Sequence, residues 1–91
     1  MARYLVGENA NNFEDTLKII SDGDMIELDE HYTVEVPQNQ AYVIGRSITI
    51  EGNSRVENGT TYINNTFLGK LYITNGACVK IKNLWIKTNG D

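Results

Sequence analysis

The densest run of chemistry-bearing side chains is Asp22, Asp24, Glu27, Asp29 and Glu30, followed by His31, the single histidine of the chain. Clustered carboxylates are the raw material of a calcium or magnesium site, which needs several oxygens converging on one point. The spacing works against convergence. Asp22 and Asp24 flank the end of a helical segment, Glu27 occupies the outward position of a strand, and Asp29 and Glu30 fall in the next turn. The run reads as a solvated face with local turn hydrogen bonds, and neither metal nor cofactor is expected. His31 beside Glu30 has the makings of a general base, with Tyr32 or Glu35 to orient it. No nucleophile stands near it, so no catalytic residue is assigned. Cys78 is the lone cysteine, which excludes an internal disulfide. It reads as a small buried apolar residue, with Lys80 the one neighbour that would favour a reactive thiolate.

A second group is aromatic. Tyr62, Tyr72 and Trp85 occupy alternate positions in strand-like segments and are expected to face outward, Tyr62 and Trp85 stacked 23 residues apart. Outward rings serve either as flat platforms for sugar faces or as anchors of protein interfaces, where Tyr and Trp are enriched. A register shifted by one residue would turn them into core. Two Asn-X-Thr sequons, at Asn58 and Asn64, read as Asn-rich turns rather than glycosylation acceptors.

Composition narrows the classes. The 91 residues suffice for one small domain, 1–91, and no apolar run approaches the roughly 20 residues that span a bilayer. The first eight residues have one base and a short apolar run, unlike a secretory leader, so the chain as given reads as cytoplasmic. Net charge is −4, split between −7 over residues 1–35 and +3 over residues 36–91. Without clustered Lys and Arg, nucleic-acid binding is not expected, and no membrane partner is.

These side chains are positioned by a pattern of short elements. Residues 2–6 read as a strand. Phe13, Leu17 and Ile20 line one face of a short helix capped by Asn12 and closed by Gly23. From residue 24 the period becomes 2, with strand-like segments at 25–28, 32–36, 41–44, 47–51, 55–57, 61–64, 70–74, 78–82 and 84–88. Three octets repeat: residues 23–30, 45–52 and 69–76. Their apolar pairs Ile26/Leu28, Ile48/Ile50 and Leu71/Ile73 lie 22 and then 23 residues apart, as do Val34, Val56 and Val79. A looser stripe runs from Ala41 or Ile44 through Ile63 to Leu84/Ile86. Such a period predicts a parallel solenoid of three coils, like side chains stacking at the ~4.8 Å spacing of paired strands.

The helix segment Phe13–Leu17, the Gly23-Asp24-Met25-Ile26 turn, Arg46–Gly52 and Val79–Ile86 with its turn Asn83 resemble the N-terminal cap and first coils of the pectate-lyase-like superfamily. The resemblance spans residues 3–90. It implies an all-β fold: a single-stranded right-handed parallel β-helix of about three coils, with residues 1–23 as a capping strand and short helix and 24–91 as the coils. It implies no catalytic residue, because none of that superfamily's carboxylate, arginine or calcium motifs has a match in these positions.

In such a fold the beginning is plugged and the last coil is bare, exposing Leu71, Ile73, Val79, Ile81, Leu84 and Ile86. An uncovered edge favours association, so the expectation is a non-catalytic interaction domain forming an end-to-end homodimer through residues 70–88. Alternatives are a carbohydrate-binding module using Tyr62, Tyr72 and Trp85, or a fragment of a polysaccharide lyase or esterase, which would need a cleft with convergent charges. Ile48 is expected to be central in the middle coil, with stacked neighbours on both sides. Ile48→Asp would lose an aliphatic side chain worth ~1.5–3 kcal/mol and bury an unpaired charge. The variant is expected to be unfolded by far-ultraviolet circular dichroism; a retained spectrum and melting point would refute the placement of Ile48.

Overall fold

A computed structural model describes residues 1–89. The chain forms β1 (Arg3–Val6), α1 (Phe13–Ile19), β2 (Met25–Leu28), β3 (Thr33–Glu35), β4 (Ala41–Ile44), β5 (Thr49–Glu51), β6 (Ser54–Glu57), β7 (Thr60–Ile63), β8 (Asn65–Leu68), β9 (Lys70–Ile73), β10 (Lys80–Lys82) and β11 (Leu84–Lys87). The strands fall into four small sheets ordered β1-β2-β5-β10, β11-β8-β3, β4-β9 and β6-β7.

The expected three-coil parallel β-helix is not what the chain builds. Among the described residues its strands lie in separate sheets of two to four members with no closed solenoid. Neighbours in the first three sheets run parallel, but β6 and β7 form an antiparallel hairpin. The fixed period fails with it. Ile26 pairs with Ile50 and Ile50 with Ile81. The third octet joins another sheet, where Leu71 pairs with Tyr42 and Ile73 with Ile44. Val34 pairs with Phe67 rather than Val56, which stands 68% exposed on the hairpin. The reason is local. Asn58 and Gly59 both take positive φ, 50° and 79°, the left-handed geometry of a tight hairpin turn. Residues 54–63 thus turn back on themselves and carry no rung of the parallel sheets.

The N-terminal elements follow their sequence. Asn12 Oδ1 accepts from the Asp15 N–H at 3.1 Å, capping α1. Phe13 is buried and Leu17 half-buried, on the side that meets β1 and β4. So short a helix is marginal alone; its anchor is Phe13, whose ring lies 5.7 Å from both Tyr42 and Phe67. The helix ends at Ile20, an extended C-cap, rather than at Gly23. Gly23, at φ +88°, instead turns the chain into β2, and its N–H donates to the Ser47 carbonyl at 2.8 Å.

The core gathers Val6, Phe13, Ile20, Ile26, Leu28, Val34, Val36, Ile44, Ile48, Ile50 and Phe67 in one cluster. The Asn65 side chain is fully buried. Asn65 Oδ1 accepts from the Asn53 N–H at 2.6 Å, and Asn65 Nδ2 donates to the carbonyls of Asp29 at 2.7 Å and Tyr32 at 2.9 Å. Asn53 Nδ2 in turn donates to the Leu28 carbonyl at 2.7 Å. These bonds tie backbone groups of the β2–β3 and β5–β6 connections to the start of β8.

Asn65→Ala strips those partners. Each buried group left unsatisfied costs ~1–3 kcal/mol, so a loss of roughly 3 kcal/mol or more is expected in urea unfolding. Asn65→Asp keeps the acceptor but aims an oxygen at two carbonyls, and is also expected to destabilise. An unchanged unfolding midpoint in both would show that the network is not structural.

Candidate functional site

The acidic run disperses onto separate partners. Asp22 Oδ1 accepts from the Ser47 N–H at 2.8 Å, and Asp29 Oδ1 from the Glu30 N–H at 2.9 Å. Glu27 pairs with Arg3 at 3.3 Å, and Glu30 with His31 at 3.6 Å. Among the described residues no three His, Cys, Asp or Glu side chains group as metal ligands. His31 sits exposed in a turn at φ +62°, a geometry set by the turn.

Asp24 is the exception, being buried. Its Oδ1 accepts from the Ala2 N–H at 2.8 Å and its Oδ2 from the Ser21 N–H at 2.9 Å, tying the segment before β1 to the turn after α1. These two backbone donors, Ala2 first, hold its carboxyl below the usual carboxylate range. Its task is structural. Cys78 is exposed, contrary to the buried role its sequence suggests, and its N–H donates to Ser47 Oγ at 3.0 Å.

The three outward aromatics are all exposed, Tyr62 at 42%, Tyr72 at 56% and Trp85 at 54%. They stand on three different sheets. Tyr62, on β7, lies opposite Arg55, whose guanidinium carbon is 4.8 Å from the ring centroid. Tyr72 flanks Val43 on β4, and Trp85 flanks Thr66 on β8. The expected stack of Tyr62 on Trp85 is absent because the hairpin takes Tyr62 out of the parallel sheets.

Of Leu71, Ile73, Val79, Ile81, Leu84 and Ile86, five lie on β9, β10 and β11, in three separate sheets, and Val79 precedes β10. Ile81 is paired with buried Ile50, Leu84 with buried Asn65, Ile86 with buried Phe67, and Ile73 with buried Ile44. Paired residues point to the same face of a sheet, so these side chains point toward the core. Leu71, Val79 and Leu84 pack against it. Ile81 is half-buried, while Ile73 and Ile86 remain 49% and 51% exposed. β10 and β11 are edge strands of their sheets, and β9 is one of the two strands of its own. The helix α1 meets β1 and β4. Asn89 reaches back to donate from Nδ2 to the Val36 carbonyl at 2.9 Å. The last residues of the expected polar tail, Gly90 and Asp91, lie outside the described residues.

Residues missed in the sequence were Asn53 and Asn65, the polar pair that locks three turns. Asn83, singled out instead, does turn the chain between β10 and β11 at φ +53°. The signal available for Asn65 was its place after Asn64 and two residues before the apolar Phe67, at a strand start. Among the described residues no helix is long and apolar enough to cross a membrane.

The folded Asp24 carboxyl titrates below its ordinary 3.8. Its stabilising effect is therefore full above that ordinary value and is lost as pH falls through the lower, folded one. Asp24→Ala is expected to lower the melting temperature at neutral pH, with the gap to wild type closing in strong acid. A gap that persists unchanged through acid would refute the charge-assisted clasp. No family model, curated protein or solved structure matches the chain.

Proposed function

We propose that this chain is a non-catalytic interaction module that self-associates through its C-terminal strands β9, β10 and β11. One observation supports the reading: Ile73 and Ile86, on β9 and β11, are about half exposed, and among the described residues each of these strands lies at the edge of its sheet. Apolar surface of this kind gains roughly 25 cal/mol for each Å² removed from water. The free N–H and C=O groups of edge strands pair with any second edge presented to them. A second copy offers both, and a two-fold arrangement closes the assembly instead of extending it. Lys70, Lys80, Lys82 and Lys87 on these strands are exposed and keep their charge in water.

Light scattering is expected to give a dimer mass for the 91-residue chain at micromolar concentration. The double variant Ile73→Asp, Ile86→Asp is expected to be monomeric with an unchanged circular dichroism spectrum, since both side chains are already half in water. A wild-type monomer under these conditions would overturn the reading.

A further inference from the structure

We propose that Asn58 is a self-modification site: the backbone nitrogen of Gly59 displaces its side-chain amide, leaving an aspartyl or isoaspartyl residue at the tip of the β6–β7 hairpin. The inference is independent of self-association.

The reaction needs only the chain, base and water. The Gly59 nitrogen loses its proton to base and bonds to Asn58 Cγ. The Cγ–Nδ2 bond breaks, and Nδ2 leaves as ammonia with a proton returned from the solvent. Water then opens the five-membered imide at one of its two carbonyls. Opening at one restores the main chain and leaves a carboxylate on the side chain. Opening at the other routes the main chain through the side-chain carbon. Nothing is oxidised or reduced. A glycine in the second position favours the attack, because no Cβ shields its nitrogen.

Three Asn-Gly steps occur, at Asn58, Asn75 and Asn89. The turns at the first two have similar backbones. Asn58 and Gly59 take φ 50° and 79°, and Asn75 and Gly76 take 58° and 64°. Pairing of Glu57 with Thr60 closes the first turn, and the Ala77 N–H donating to the Thr74 carbonyl at 3.0 Å closes the second. A Cβ placed on either glycine would meet nothing within 4 Å, so both nitrogens are approachable.

What separates the three is the freedom of the amide, which must swing round to bring Cγ onto the next nitrogen. The Asn75 amide lies against Gly45, so close that a Cβ on Gly45 would fall 2.8 Å from Asn75 Nδ2. Asn89 is half-buried, and its Nδ2 donates to the Val36 carbonyl at 2.9 Å. Either amide must first be released. Asn58 is exposed at the hairpin tip, where the polar contacts of Arg55 go to Glu57 and Asn64 and leave Asn58 unheld. Both products set a carboxylate beside Glu57. The isoaspartyl product also adds a backbone atom to a two-residue turn whose fit depends on its length.

The test incubates the folded 91-residue chain in mildly alkaline buffer and cuts it after Lys and Arg, which places the three steps in separate peptides, 56–70, 71–80 and 88–91. Mass spectrometry follows amide-to-acid conversion, and fragment masses separate Asn58 from Asn64 and Asn65. Conversion at Asn58 is expected to be at least about fivefold faster than at Asn75 or Asn89, the factor that one net hydrogen bond contributes. In urea, with the chain unfolded, the three rates are expected to converge. Equal rates in the folded chain, faster conversion at any other asparagine, or an order of rates that urea leaves unchanged would overturn the assignment.

Discussion

The buried side chain of Asn65 sets which strands can be neighbours. Its amide binds the carbonyls of Asp29 and Tyr32 on one side and the Asn53 N–H on the other. The turn between β2 and β3, the exit from β5 and the start of β8 are thereby held at one point. Once that point is fixed, β8 lies beside β3, and Phe67 is delivered against Val34 and Phe13. An aliphatic residue of the same size would fill the space but remove the bonds to the Asp29 and Tyr32 carbonyls and the Asn53 N–H. The polar residue therefore confers specificity that apolar packing, which has no direction, cannot.

Around it the apolar residues form columns across paired strands. Exposure along a column depends on whether another rung lies beyond. Ile26 and Ile50 are fully buried, while their neighbour Ile81 is half-buried, although all three point the same way. The same holds from Val34 through Phe67 to Ile86. The half-exposed side chains of the C-terminal strands are thus a result of position at the end of a column. The first end is different because α1 brings Phe13 down onto Tyr42 and Phe67.

Local features were legible because local physics decides them. Asn12 caps the helix, Phe13 and Ile20 face the core, and Ile26, Leu28, Ile48 and Ile50 are buried. What misled was coincidence of spacing. Val56 matches Val34 in type and period, yet the pairing partner of Val34 is Phe67, 33 residues away. Asn58-Gly59 between β-prone residues is itself a strong hairpin signal, and it outranked the repeat. The aromatic readings failed to converge for the same reason, since a ten-residue excursion displaces Tyr62 from the column of Trp85. Asn65 was missed because burial of an amide depends on carbonyls over 30 residues distant.

The hairpin has one more effect. Its two bases are joined, with the Asn64 N–H donating to the Asn53 carbonyl at 2.8 Å. The framework therefore meets residues 54–63 at a single closed gate, whatever the excursion beyond it contains. The entropy of closing such a loop rises only with the logarithm of its length. Here the protein has a site where segments of different length and content can be exchanged at small cost, without any rung of the parallel sheets being rewritten.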